Sequence, residues 1–272
     1  MKFFDISGGE IDKNQFISLY NDSYYIDYVD YTDRKGNKRK IRKKLYVPGL
    51  NQSSRFVEDE IDRLLKEGIK SKLDVVHILA WKVGRIAHLG SESKFAYTDD
   101  WANAEEFEVT LRKNKFDIKK IVDYIVSNIK ALEEKAANDP QGVLCDLESV
   151  RAVGFGPVYL ITLLYFISRG KYPIYDRFAM MAVDAIIAGT KPGNTVVYCE
   201  LPSKDSKEFN TIMQDHMIPY IQKLDKIFGD EYQKSRDIDR ALWAYGHLFI
   251  GTKRISSKII ERKPIDYHYK PI

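Results

Sequence analysis

Apolar residues along this chain recur mostly at helical spacing. Ile118, Ile121, Val122, Ile125, Ile129 and Leu132 keep the three-and-four rhythm of one buried face and predict a helix. Phe56, Val57, Ile61, Leu64 and Leu65 do the same after Ser53, with Gly68 as the stop. Leu73 to Leu89 is apolar on most sides and reads as one central buried helix carrying His77, Trp81 and His88. A loop over Gly90 to Asp100 and a helix over Trp101 to Leu111 follow. Asn138 to Gly142 reads as a turn. Later helices are expected over Phe178–Ile187, Phe209–Phe228 and Asp237–Phe249. Pro219 is placed to kink the second, and Ser235 or Asp237 to cap the third. Val196 to Tyr198 reads as a short extended piece.

The first fifty residues have a different texture. Tyr24 to Tyr31 is aromatic, β-prone and partly alternating, Arg34 to Lys38 reads as a turn, and Ile41 to Val47 returns as a second strand. The fold class expected is therefore mainly α, with a small N-terminal β-hairpin or sheet. The organisation expected is a β-rich segment over 1–50, a helical body over 51–251 and a basic tail over 252–272.

One stretch carries candidate chemistry: Leu147 to Asp176. A short amphipathic segment with Leu147, Val150 and Val153 leads into the break Gly154-Phe155-Gly156-Pro157. A very apolar helix follows and stops at Gly170. Asp176 then stands just before the next helix. A Gly-x-Gly turn at a helix N-terminus offers backbone N–H groups to an oxyanion, above all a phosphate. Proline in the first turn removes an N–H with no intrahelical partner anyway.

With Val150 to Pro157 and the later Pro173-Ile174-Tyr175-Asp176, twenty residues after Gly156, this stretch resembles the helix-hairpin-helix (HhH-GPD) DNA glycosylases. The specific part of the likeness covers residues 147–183, and a weaker helical likeness covers 117–250. The resemblance implies an HhH-GPD-like helical body and a base-excision repair enzyme that binds DNA and removes a damaged or mispaired base. It implies that Asp176 is the catalytic carboxylate and that Gly154, Phe155, Gly156 and Val158 hold a DNA phosphate. It leaves room for a monovalent cation at the hairpin, with no required cofactor. Asp176 also suits the N-cap of the following helix, and the two roles are compatible.

The chain departs from that family at three points. Lyase-competent members carry a lysine where this chain has Val158, and Leu160 stands where a small residue is usual. The iron–sulfur branch needs four cysteines, and this chain has Cys145 and Cys199. The expectation is a monofunctional hydrolase with water as nucleophile and no iron–sulfur cluster. Lys171 is the candidate for a relocated amine, and a solvated connector lysine is the commoner reading. Trp243, Tyr245, His247 and Trp81 are aromatic candidates for a base pocket, though core packing is the commoner fate of such residues. The alternative is a DNA-binding protein that keeps the hairpin without catalysis.

Charge adds one feature. The net charge is +4, which permits nucleic-acid contact without demanding it. Eight of the eleven residues 34–44 are Lys or Arg, so Arg39 and Lys40 are candidates for tracking a DNA backbone. A solvated edge strand guarded by its charges fits the same pattern. Two cysteines without ligand spacing, and Met1 to Gly9 without a signal-peptide core, make a cytoplasmic location the expectation. No apolar run reaches the length of a membrane span, and no zinc-spaced Cys/His set, metal site, Walker loop or nucleophile elbow is legible.

Overall fold

A computed structural model describes residues 1–24, 26–32, 38–44, 52–89, 94–98, 101–111, 114–152, 155–192, 209–249, 265–267 and 269–271. The described chain is mainly helical with small antiparallel sheets, as the apolar rhythm predicts. It opens with β1 (Phe3–Phe4), β2 (Glu10–Ile11) and α1 (Lys13–Tyr24). β3 (Ile26–Thr32) and β4 (Lys38–Lys44) form a hairpin whose register runs from Ile26 opposite Lys44 to Thr32 opposite Lys38. Next come α2 (Gln52–Glu67), α3 (Lys72–Lys82), β5 (Ile86–Leu89), β6 (Lys94–Thr98), β7 (Glu108–Leu111) and β8 (Asn114–Asp117). The helical series continues with α4 (Lys119–Asn138), α5 (Pro140–Val150), α6 (Pro157–Ile167) and α7 (Arg177–Ala188). A π-turn over Met213–Met217 leads to α8 (Ile218–Phe228), α9 (Glu231–Lys234) and α10 (Asp237–Gly246). Short strands β9 (Ile265–Tyr267) and β10 (Tyr269–Pro271) pair with β4 and β6.

The core is built around α6. Every residue from Leu160 to Ile167 is buried, which is why that helix shows no polar face in the sequence. α3, α4 and α5 pack around it. Each buried Leu, Ile or Phe there contributes about 1.5–3 kcal/mol of transfer free energy. A second focus joins α1 to α10. Phe16 and Tyr20 set their rings 5.0 and 4.9 Å from that of Tyr245.

Several sequence expectations are corrected. The N-terminal segment holds α1 as well as strands. Its start is a reciprocal cap, with Gln15 N–H donating to Asp12 Oδ1 at 2.9 Å and Asp12 N–H to Gln15 Oε1 at 3.2 Å. Leu73–Leu89 is not one helix. α3 ends at Lys82, Gly84 takes φ +67°, and Arg85 N–H closes back on Ala80 O at 2.7 Å. A left-handed residue there ends the helix and turns the chain into β5. The expected loop over Gly90–Asp100 contains β6, paired with β5. The expected helix over Trp101–Leu111 is replaced by 3₁₀ backbone at Trp101, a 3₁₀ turn at Ala104–Glu106, then Phe107 at φ +65°, then β7. The expected turn at 138–142 shrinks to Asp139, which caps α5 by accepting Gly142 N–H at 2.7 Å. The helix expected over 209–228 is widened at Met213–Met217, just before Pro219, which has no N–H to bond back. The expected extended piece at Val196–Tyr198 lies outside the described residues.

Candidate functional site

Asp176 occupies the N-cap of α7 with extended backbone, φ −133° and ψ 144°. Its Oδ1 accepts Phe178 N–H at 2.8 Å, the ordinary bond of a capping aspartate. Its Oδ2 takes an ion pair from Lys82 Nζ at 3.3 Å. The two side chains are 18% and 12% exposed, so the pair is sheltered yet reachable. Lys82 arrives from the last turn of α3, where Gly84 ends the helix.

α10 closes the other side. Trp243 and His247, four residues apart, sit on one face of α10 and its 3₁₀ extension, and both meet Phe178. His247 stacks on the Phe178 ring at 3.6 Å, and Trp243 stands edge-on to it at 6.0 Å. His247 Nδ1–H donates to Trp243 O at 2.7 Å, which fixes that tautomer. Tyr24 abuts Trp243 at 5.2 Å. Asp239, one turn before Trp243, completes the corner, with its side chain 26% exposed. Burial pushes its carboxyl up to about 6; Arg236 and Lys82 pull against that, and the charge of Asp176 adds to the rise.

Next to this corner lies a sealed ion network. Glu58 accepts from Trp81 Nε1 at 2.7 Å and from Tyr24 OH at 3.1 Å. It pairs with Arg236 at 2.8 Å and Arg240 at 3.3 Å. Asp62 takes the same two arginines at 2.9 and 2.6 Å. Burial works against the charge of Glu58, yet the two guanidinium groups hold its carboxyl below the usual range.

The predicted site residues do not all gather here. Asp176, Trp243 and His247 do. Tyr245 does not: it is fully buried among Phe16, Tyr20 and Phe249, on the core side of α10. Trp81 borders the corner, but Arg236 covers its ring at 4.6 Å and Glu58 holds its N–H, so it is part of the network rather than a stacking surface. Lys171 turns away and donates to Ala137 O at 2.9 Å. Sequence reasoning missed Lys82 and Asp239. Lys82 is 94 positions from Asp176. Its one legible signal is a lysine closing a mostly apolar helix.

Of the hairpin turn, the described residues Phe155 to Pro157 are buried. Gly154 lies outside the described residues. Phe155 is buried, with its ring against Phe116 and Tyr159, its N–H on Ala152 O and its carbonyl accepting Arg151 Nη1 at 2.8 Å. Gly156 is the buried N-cap of α6 and has no side-chain cap, and Val158 is half-buried. Phe155 is therefore a core residue first. The acid corner flanks the C-terminal half of α6, where Trp81 meets Phe166. Val158 is eight residues away, about 12 Å along the axis. In the basic arm, Arg39 pairs across the sheet with Tyr31, and Lys40 with Asp30 and Tyr267. β4 is thus flanked on both sides, by β3 and β9, and is not an edge strand.

Among the described residues no cluster of three or more His, Cys, Asp or Glu could hold a metal ion, and no helix is long and apolar enough to cross a membrane. No protein-family model matches the chain, and comparisons with curated proteins and with solved structures found no match.

Proposed function

We propose that this chain is a DNA base-excision glycosylase of the helix-hairpin-helix kind, which hydrolyses the N-glycosidic bond of a damaged or mispaired base flipped out of the duplex. The observation that carries the reading is Asp176: a helix-capping carboxylate, paired with Lys82, opening beside Phe178, Trp243 and His247. Cleavage of that bond leaves a sugar with oxocarbenium character. A fixed carboxylate opposes the developing positive charge and can take a proton from attacking water. A flipped base needs a face to stack on; His247 at 3.6 Å and the Arg177 guanidinium at 4.8 Å already cover Phe178, so the half-buried ring of Trp243 is the candidate. The Lys82 contact holds the carboxylate in place before substrate arrives.

The test is release of free base from a panel of lesion-bearing duplexes. Wild type is expected to release at least one base, and Asp176→Asn to be slower by about a thousandfold. Equal inertness of both across the panel would sink the enzyme reading. Binding that weakens steeply with added salt would then leave the alternative, a DNA-binding protein without catalysis.

A second reading has its own observation. Lys82 puts an amine 3.3 Å from Asp176, a substitute for the lysine that Val158 replaces. Attack by that amine on the sugar would give a covalent adduct with the DNA that borohydride traps. Trapping that disappears in Lys82→Met favours it, and base release without trapping favours water.

A further inference from the structure

We propose that Asp239 is the second acid of this site: it protonates the departing base while Asp176 faces the sugar. The inference rests on the glycosylase reading and adds to it a residue and a proton path.

Asp239 lies in the first turn of α10, on the face that also carries Trp243 and His247. That face meets the start of α7 at close range. A Cβ at Gly246 would stand 1.8 Å from Phe178 O, so the helices approach as nearly as backbones allow. Phe178 donates its N–H to Asp176, so the rings and the Asp176 carboxyl belong to one junction, and Asp239 lies near enough to feel the Asp176 charge. Asp239 opens outward where Glu58 does not, at 26% against 6% exposure, so a bound base can reach it.

Its partners are weak. Arg236 Nη2 is 3.9 Å away, too far for a hydrogen bond. Arg236 is 1% exposed, and neither its Nη2 nor its Nε has a hydrogen-bond partner among the described residues. The sealed guanidinium therefore gives Asp239 charge at 3.9 Å but no hydrogen bond, and the carboxyl keeps its acceptor and donor capacity for a ligand. The charged and titratable groups facing Asp239 are Lys82 from α3, Asp176 from α7, Arg236 and Arg240 from the α10 segment, Tyr165 from α6 and Tyr24 from α1. Burial and the Asp176 charge outweigh the cations and lift the carboxyl to about 6. Two neighbouring carboxyls in unlike environments divide into acid and base.

The step balances. The C1′–N bond breaks, and its electron pair stays on the base nitrogen, which takes the proton of the Asp239 carboxyl. Water adds to C1′ and gives a proton to the Asp176 carboxylate. The products are free base and a sugar hydroxyl, and exchange with solvent returns a proton from Asp176 to Asp239.

The experiment is single-turnover base release between pH 5 and 8 by wild type, Asp176→Asn, Asp239→Asn and Asp239→Glu. Wild type is expected to slow by about tenfold per pH unit above about 6. Asp239→Asn is expected to be slower by about a hundredfold at pH 5.5 and flat with pH, with unchanged DNA affinity. Asp239→Glu, which keeps the carboxyl and serves if the asparagine variant folds poorly, is expected to retain the falling limb. If Asp176→Asn is dead while Asp239→Asn follows the wild-type profile, this proposal falls and the glycosylase reading stands. A flat profile for Asp239→Glu also overturns it. If wild type releases no base at all, both fall together.

Discussion

Two charge clusters meet at Arg236, and they are built differently. The Glu58 network is closed: Glu58, Arg236 and Arg240 are 6%, 1% and 4% exposed, and every contact of Glu58 with an arginine is 3.3 Å or shorter. The planar forks of two arginines meet two carboxylates there. In the neighbouring corner one lysine serves Asp176 at 3.3 Å, and among the described residues Asp239 has a 3.9 Å contact with Arg236. The closed cluster ties α2 to α10 and leaves Glu58 ionised against the cost of burial. The open one leaves a carboxyl undercompensated and partly exposed. On the glycosylase proposal, the open corner is where a substrate would complete the site, and the closed cluster is what holds the fold.

The largest effect is expected on the closed side. Glu58→Gln leaves the sealed Arg236 with Asp62, which stands on the 44% exposed rim, and with Asp239 at 3.9 Å. Breaking a buried pair from one side costs about 3–5 kcal/mol. The fall should appear in the urea midpoint with an unchanged slope. A shift under about 1 kcal/mol would mean that the network is not what joins the two helices.

On the open side the next effect has the opposite sign. Asp239 is raised from 3.8 to about 6, so between about pH 4 and 6 the folded chain keeps a proton that the unfolded chain has lost. Stability therefore falls as pH rises through that window, and Asp239→Asn escapes the fall. The variant is expected to gain about 2–3 kcal/mol over wild type above pH 6 and nothing below about pH 4. Melting temperatures at pH 4.5 and 7.5 check it: a gain of the same size at both would assign the effect to packing. If the same variant also slows base release, the pair of effects marks a site that sacrifices stability for chemistry.

How much of this was legible follows from distance along the chain. The helix at 118–132, the apolar α6 and the Asp176 cap are local patterns and read well. α1 was also readable: Asp12 and Gln15 have cap spacing, and Phe16 and Tyr20 share a face, but neighbouring tyrosines pull the eye toward strands. The end of α3 turned on Gly84, one left-handed residue in an apolar run. The candidate corner was half legible. Asp176 announced itself by context, whereas Lys82 and Asp239 look like ordinary surface charges until α3, α7 and α10 converge. The Glu58 network is long-range too, with Arg240 lying 182 positions from Glu58, so no local rule could have separated closed charges from open ones.

The smallest stability effect is expected where the two clusters differ least, at Lys82. Lys82→Met keeps most of the side chain's volume and removes one point charge. Asp176 retains its 2.8 Å bond from Phe178 N–H and its place at the N-cap of α7. The lost attraction is offset by desolvation no longer required of the ammonium, so the change in unfolding free energy should stay within about 1 kcal/mol. The electrostatic consequence is separate. Lys82 lowers the Asp239 carboxyl, so its removal moves the titration of Asp239 to higher pH. If Asp239 supplies the proton and water is the nucleophile, the falling limb of base release shifts upward in pH while activity at acid pH persists. If the amine itself attacks the sugar, Lys82→Met abolishes release at every pH. A single pH profile of this one variant therefore decides whether the lysine at the open corner positions a carboxylate or forms a bond.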